Sequence, residues 1–273
     1  MNLLACLFNG LHNPTLINIV GDGEETIIIP KVKFLSLSEL PSLLGLCHNV
    51  NKIELPQLVE LKLANIPGVT NIYSHNKLET SLFKEEAVLP KLEKMYITDM
   101  QNLKEIWTCE FSTTEEVRLK EIQVKSCDNL VNMFPSNSMS FLHNLEELNI
   151  EKCGSIEALF NIDLDCVGEF KEGNSTSKLR IIQVKELGKL GGGGGGGVVW
   201  RIKGESNSDI LIRGFQALES IHIESCKTFR NILTPTNTNF DLGALREIFI
   251  HDCGESKRNN DSVEGNQDKE VWL

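Results

Sequence analysis

The chain has 273 residues, a formal net charge of −11 and an isoelectric point near 5.1. Its apolar content of 41% and charged content of 24% are normal for a globular chain that buries a substantial core. The acidic balance argues against binding to nucleic acid or to an anionic membrane surface, because phosphates repel an acidic protein that lacks a basic patch.

The sequence shows no clear membrane span, signal peptide or metal-binding cysteine motif. No apolar run approaches the roughly 20 residues needed to span a bilayer, and the N-terminal MNLLACLF has no basic stretch before its short apolar core. The eight cysteines contain no Cys-x-x-Cys pair, and the His222/Cys226 and His251/Cys253 spacings do not match a zinc finger. We therefore expect reduced thiols, no metal or other cofactor, and a cytoplasmic or nuclear location rather than secretion.

One pattern recurs in chain order, with apolar residues at positions i, i+3 and i+5. Its eight clear copies begin at Val32, Leu58, Leu92, Leu119, Leu145, Leu179, Leu218 and Leu245. The final two-residue step has the period of a β-strand, whereas a bundle of amphipathic helices, the structural alternative, requires spacings of three and four. The repetition predicts a leucine-rich-repeat horseshoe, a β-rich α/β solenoid with one parallel strand per repeat on the concave face and irregular loops or short helical turns on the convex side.

Two further positions recur after several of the predicted strands. In four copies a cysteine follows the last strand aliphatic by three residues, and a small, weakly polar side chain suits a buried turn there, so we predict structural core roles for Cys127, Cys153, Cys226 and Cys253. An aliphatic and then an aromatic or large apolar residue follow, as in Ile106-Trp107 and Leu159-Phe160. These residues are expected to fill the core on the side away from the strands.

The intervals between copies are uneven. Residues 74–86 and 165–178 are polar and are interpreted as long outer loops. In the sixth copy the seven glycines 191–197 separate Leu190 from Val199-Trp200, so the tract is interpreted as an insertion that forms a mobile bulge. We expect the solenoid to occupy residues 1–253 and the polar residues 254–273 to form a disordered tail.

With these motifs aligned, the chain resembles the C-terminal leucine-rich-repeat region of plant intracellular nucleotide-binding disease-resistance proteins of the coiled-coil class. The resemblance rests on LPKLEKMYITDMQNLKEIW (89–107), FLHNLEELNIEKCGSIEALF (141–160) and FQALESIHIESCKTFRNIL (215–233). It implies a module that recognises pathogen effectors or guarded host proteins, or that contacts the nucleotide-binding module of a longer receptor. No GxxxxGK[ST] motif occurs, so the nucleotide switch itself is missing from this sequence.

The strand residues between the aliphatics are predicted to point onto the concave face, where a protein partner would bind. Aromatic residues dominate interface energetics, which makes Tyr96, Phe249 and Phe34 the preferred anchors. The predicted partner-binding residues are Phe34, Lys62, Lys94, Tyr96, Gln123, Asn149, Gln183, His222, Phe249 and His251.

The sequence bears on three other functions. No Ser-His-Asp, Cys-His or metal–carboxylate spacing indicates an enzyme. An extracellular leucine-rich-repeat receptor is disfavoured because its 24-residue period and Gly-x-Ile-Pro step are absent. The substrate-reading array of an F-box ubiquitin-ligase adaptor also places a cysteine after the strand, and it remains the alternative function.

Overall fold

A computed structural model describes most of the chain. The described residues are 17–21, 24–46, 52–74, 80–84, 89–107, 118–134, 143–163, 177–188, 197–203, 211–212, 215–233 and 239–254. Within these ranges the chain forms strands and no helix. The strands are β1 (Ile17–Gly21), β2 (Glu24–Ile28), β3 (Phe34–Ser38), β4 (Lys52–Glu54), β5 (Glu60–Ala64), β6 (Asn71–Ser74), β7 (Ser81–Lys84), β8 (Lys94–Thr98), β9 (Glu105–Trp107), β10 (Glu121–Lys125), β11 (Glu147–Glu151), β12 (Ala158–Asp163), β13 (Ile181–Lys185), β14 (Gly197–Lys203), β15 (Leu211–Ile212), β16 (Ser220–Glu224), β17 (Phe229–Leu233), β18 (Asn239–Phe240) and β19 (Glu247–His251).

The principal sheet confirms the predicted fold class. Each of the eight sequence copies supplies one strand, and the strands lie in the order β19-β16-β13-β11-β10-β8-β5-β3. All neighbouring pairs in this sheet are parallel and in register, position for position. Equivalent residues of successive repeats therefore lie side by side across the sheet.

The aliphatic residues of the apolar triplet face the core, as predicted. In β5, Leu61 and Leu63 are buried, whereas Lys62 between them is exposed. The leading aliphatic of this copy, Leu58, lies two residues before the strand and is also buried. Alternate side chains of a strand point to opposite faces, so one side of the sheet faces the core and the other remains open.

Tight turns direct the chain into and out of several strands of the principal sheet. The Leu58 N–H donates to the Leu55 carbonyl at 3.1 Å before β5, and the Val69 N–H donates to the Ile66 carbonyl at 3.2 Å after it. Pro56 occupies the second position of the first turn, where its fixed φ is favourable. The same donor and acceptor spacing recurs before β8 and after β8.

A backbone feature that the sequence did not reveal follows every strand of the principal sheet. One non-glycine residue per repeat has a φ between 49° and 55°, and its N–H, in all but the last repeat, donates to the carbonyl at the end of the neighbouring strand. The left-handed conformation costs a non-glycine residue about 1–2 kcal/mol, so these hydrogen bonds hold it in place. The residues are Glu39, Asn65, Asp99, Ser126, Lys152, Glu186, Ser225 and Asp252.

The side of the solenoid away from the principal sheet differs from expectation in one respect. Short strands, rather than helical turns, build this outer side in the described residues, in sheets ordered β7-β6-β9 and β12-β14-β17 and a β15-β18 pair. The segment 74–86 was expected to be a loop, but it contains β7, which pairs with β6. Its apolar residues Leu82 and Phe83 are buried, which explains why they form a strand.

Aromatic rings form a continuous stack beneath these outer strands. Tyr73, Trp107, Phe134, Phe160 and Trp200 come from successive repeats, with centroid separations of 5.7–6.3 Å and interplanar angles of 7–20°. Each ring is buried, and offset ring pairs of this kind add to the stability from burial. The repeated aromatic of the sequence pattern is thus a core element.

The two ends of the array and the glycine tract complete the fold. Strands β1 and β2 pair antiparallel, and β2 also pairs with β4. At the other end Ile248 is 39% exposed, although Ile221, its neighbour in register, is fully buried. Glycines 191–196 and the polar residues 255–273 lie outside the described residues, while Gly197 begins β14 and Trp200 pairs in register with Phe160.

Candidate functional site

The open face is the side of the principal sheet that does not contact the core. Because the strands are in register, the middle residues of the eight strands form one line across the sheet, which we call the central row. The central row runs Ser36, Lys62, Tyr96, Gln123, Asn149, Gln183, His222 and Phe249. It is the feature that brings side chains distant in sequence together.

Seven of the ten predicted partner-binding residues belong to the central row. Phe34 lies at the start of β3, at the far edge of the sheet from Phe249, and its side chain is 69% exposed. Lys94 begins β8 and lies beside the row. His251 ends β19 and contacts the row through Phe249.

Lys62, Tyr96 and their neighbours form a connected polar cluster. The Lys62 Nζ lies 5.2 Å from the centroid of the Tyr96 ring and 2.8 Å from Glu60 Oε1. Tyr96 donates its hydroxyl to Glu121 Oε1 at 3.0 Å, and Lys94 Nζ lies 2.9 Å from Glu121 Oε2. Partial burial and the hydrogen bond to Glu121 raise the pKa of the Tyr96 hydroxyl, so it stays a neutral donor. These groups are therefore already engaged within the sheet.

Ion pairs continue along one side of the central row. Lys125 Nζ is 3.0 Å from Glu151 Oε2, and Lys185 Nζ is 3.3 Å from Glu224 Oε1. The hydrogen bond from Lys125 holds the pKa of Glu151 below its usual range. Both pairs join neighbouring strands, which neutralises most of the charge on this part of the face.

Two carboxylates on the open face are exceptions. Glu147 has no lysine or arginine within ion-pair distance among the described residues, and Glu247 lies 3.3 Å from His222 Nε2. The His222 Nε2 and the Glu247 Oε2 do not have the geometry of a hydrogen bond. Their contact is therefore an ion pair only when His222 is protonated. The charge that remains unpaired beside the central row is thus negative.

Amides form the middle of the central row. Gln123, Asn149 and Gln183 lie on adjacent strands, and their side chains make no hydrogen bond to another described residue. The Asn149 Oδ1 is shielded from solvent and still has no donor in that part of the chain. A partner can therefore not reach this oxygen, and the accessible hydrogen-bonding groups at the centre of the face are the exposed amides of Gln123 and Gln183.

An aromatic cluster lies at the end of the row. The Phe249 ring, 47% exposed, has its centroid 5.9 Å from that of His222 and 5.9 Å from that of His251. The two histidines are not opposite each other, because His222 is in register with Phe249 and His251 with Glu224. The phenylalanine lies between them and presents its remaining surface to solvent.

The cysteines lie on the core side of the fold. Cys127, Cys153 and Cys226 are buried, Cys253 is partly buried, and each thiol donates to a backbone carbonyl two residues earlier at 3.2–3.4 Å. Burial raises the pKa of Cys226 to about 12, and the contact with Cys153 together with burial raises that of Cys127. The thiols of Cys226 and Cys127 are therefore protonated near neutral pH and are poor nucleophiles, whereas the hydrogen bond with Cys127 lowers the pKa of Cys153.

A groove of about 720 Å³ lies on the outer side. Its lining includes three asparagines whose side-chain amides are already used: Asn102 donates to Pro67, Asn129 to Gln101 and Asn132 to Glu105. Each bond joins one repeat to the preceding one. These amides therefore stabilise the stacking of repeats.

Among the described residues there is no group of three or more histidine, cysteine, aspartate or glutamate side chains arranged to hold a metal ion. No helix in that part of the chain is long and apolar enough to cross a membrane.

Sequence reasoning missed the ion pairs that flank the central row. Arg180 and Glu219, for example, form a bidentate pair with distances of 3.0 and 3.1 Å across neighbouring repeats. The signal was present, since opposite charges occupy equivalent positions in successive copies. Only the registered parallel pairing turns equivalent positions into neighbours.

Comparison with known proteins assigns the family. Residues 91–254, more than half of the chain, match the family described as plant disease resistance protein RPS2-like, leucine-rich repeats. The chain belongs to this family. It is also 25% identical over 214 residues to the probable disease resistance protein At4g27220 of Arabidopsis thaliana, an alignment that covers 77% of this chain and 21% of that protein. This leucine-rich-repeat region therefore spans about a fifth of the length of the curated relative.

The family assignment decides between the two functions that the sequence left open. It supports the leucine-rich-repeat region of a plant resistance protein over the F-box adaptor.

Proposed function

We propose that the open face is the protein-recognition surface of a plant immune receptor, which binds a pathogen effector, a guarded host protein or the nucleotide-binding module of a longer receptor. The observation that carries the proposal is the central row, because it aligns seven of the predicted contact residues across adjacent strands. The family membership supplies the biological setting.

Two features of the row favour protein binding over other roles. Phe249 is a large apolar side chain that remains 47% exposed, and exposed aromatic side chains are frequent anchors of interfaces. The side-chain amides of Gln123 and Gln183 are exposed and make no hydrogen bond to another described residue, so they can pair with a partner. We place this recognition in the cytoplasm or the nucleus.

The test compares exposed apolar residues on opposite sides of the solenoid. The chain serves as bait in a two-hybrid screen against a library of secreted pathogen proteins and host proteins. Phe249→Ala is expected to abolish or weaken genuine interactions, and Tyr96→Ala to weaken them less, because the Tyr96 hydroxyl is already bonded within the sheet.

Val131→Ala is the matched control. Val131 is 44% exposed and lies on the outer side beside the bridge between Glu105 and Asn132. All three variants should unfold at nearly the wild-type temperature. Interactions that survive both open-face substitutions and are lost in Val131→Ala would place the recognition surface elsewhere and refute the proposal.

A further inference from the structure

The central row has a chemistry that points to a particular kind of partner, provided that the open face is the recognition surface proposed above. Gln123, Asn149 and Gln183 present three amides on adjacent strands. A side-chain amide both donates and accepts hydrogen bonds, as a peptide group does. Amides are therefore suited to pair with the backbone of another polypeptide, largely independently of its side chains.

The charges beside the row narrow the choice of partner. Lys94 pairs with Glu121, Lys125 with Glu151, and Lys185 with Glu224, so these cations are already neutralised. The carboxylates of Glu147 and Glu247 lack a lysine or arginine at ion-pair distance among the described residues, and the whole chain has a net charge of −11. An acidic segment would be repelled here, whereas a neutral or basic one would not.

The length of the row sets the length of the partner segment. From Tyr96 on β8 to Phe249 on β19 the row crosses six adjacent strands. At about 4.8 Å between neighbouring strands, the five gaps span about 24 Å. An extended chain advances about 3.3 Å per residue, so about seven or eight residues would cover this distance.

We infer that the central row binds an extended polypeptide segment of about seven or eight residues that lacks acidic side chains. The segment crosses the strands along the row. The amides of Gln123, Asn149 and Gln183 bond its peptide groups, and an apolar side chain at one end packs on Phe249.

The experiment uses a phage-displayed library of random eight-residue peptides selected against the whole chain. Enriched peptides are then synthesised, and their dissociation constants are measured by fluorescence polarisation for wild type and variants. We expect enriched sequences to be depleted of Asp and Glu. Gln183→Leu should weaken binding about fivefold to tenfold, the effect of losing one or two hydrogen bonds.

Lys185→Gln is the matched control, because Lys185 lies on the same strand two residues along and off the row. It should change binding less than twofold. The inference is overturned if no peptide is enriched over an unrelated protein, if acidic peptides dominate, or if Gln183→Leu binds as tightly as wild type. Circular dichroism and thermal unfolding of each variant confirm that the fold is retained.

Phe249→Ala separates the two proposals. If it weakens binding of a natural partner while Gln183→Leu has no effect, the open face is still a recognition surface and only the peptide-binding row is wrong. If neither substitution affects any partner or peptide, both proposals fail.

Discussion

The aromatic stack of the outer side and the central row of the open face arise from the same geometry, but the stack is buried and the row faces solvent. In both, registered repeats place equivalent positions side by side, so that one residue per repeat forms a line. The stack is sealed and apolar, with Trp107, Phe134 and Phe160 nearly parallel. The row is polar and open. A repeat fold thus uses one line to hold its repeats together and leaves another open to solvent.

The largest expected difference between the two lines is in stability. Phe160 contacts Phe134, Trp200 and Phe215 at centroid distances of 5.7, 6.1 and 5.2 Å. Phe160→Ala removes these contacts and leaves a cavity, so we expect the free energy of unfolding to fall by about 3–5 kcal/mol. Urea denaturation monitored by tryptophan fluorescence and by circular dichroism measures this change.

The comparison substitution is Gln183→Leu on the central row. Since Gln183 is exposed, its replacement should alter the free energy of unfolding by no more than about 0.5 kcal/mol. Equal losses for Phe160→Ala and Gln183→Leu would contradict the assignment of the stack to stability and of the row to recognition.

The sequence was sufficient to predict the principal sheet because its signal is local. The spacing of Leu145, Leu148 and Ile150 indicates, within six residues, which side chains face the core. Eight copies of this spacing identify the repeat. The same reasoning identified the middle residues of the strands, since they alternate with the buried ones.

The outer strands and the charge pairing could not be predicted in the same way. Strand β7 depends on pairing with β6 across a polar interval, and a four-residue strand flanked by polar residues has no distinctive period. The engagement of Tyr96 with Glu121 depends on a neighbour 25 residues away. Contacts of this kind become visible only when the register is known.

A smaller expected effect concerns the pH dependence of stability. It comes from the buried thiols, which lie on the core side of the fold, whereas the central row lies on the open face. Burial raises the pKa of Cys226 to about 12 from an ordinary value of 9.0. Between about pH 9 and pH 12 the unfolded chain releases this proton while the folded chain retains it, so the stability contributed by Cys226 is complete below pH 9 and is lost through that window. The loss is at most about 1.4 kcal/mol per pH unit.

Urea unfolding of wild type and Cys226→Ala at pH 7.5 and pH 10 isolates this contribution. Lysine and tyrosine titrations affect both proteins alike, so the informative quantity is the difference between them. Wild type should lose more stability than Cys226→Ala over this interval. An equal loss would show that the folded and unfolded thiols titrate alike and that Cys226 is accessible.

The smallest expected effect tests whether the charges around the row hold the sheet together. Arg180 and Glu219 form the bidentate pair described above, but both side chains are substantially exposed. A double-mutant cycle with Arg180→Gln and Glu219→Gln should give a coupling energy of about 0.2–1 kcal/mol, reduced further in 0.5 M salt because exposed charges are screened. A coupling above about 2 kcal/mol that is insensitive to salt would mean that such pairs support the fold as the aromatic stack does. A weak coupling would leave these charges free to be exchanged between relatives at little cost in stability, as a surface that adapts to different partners requires.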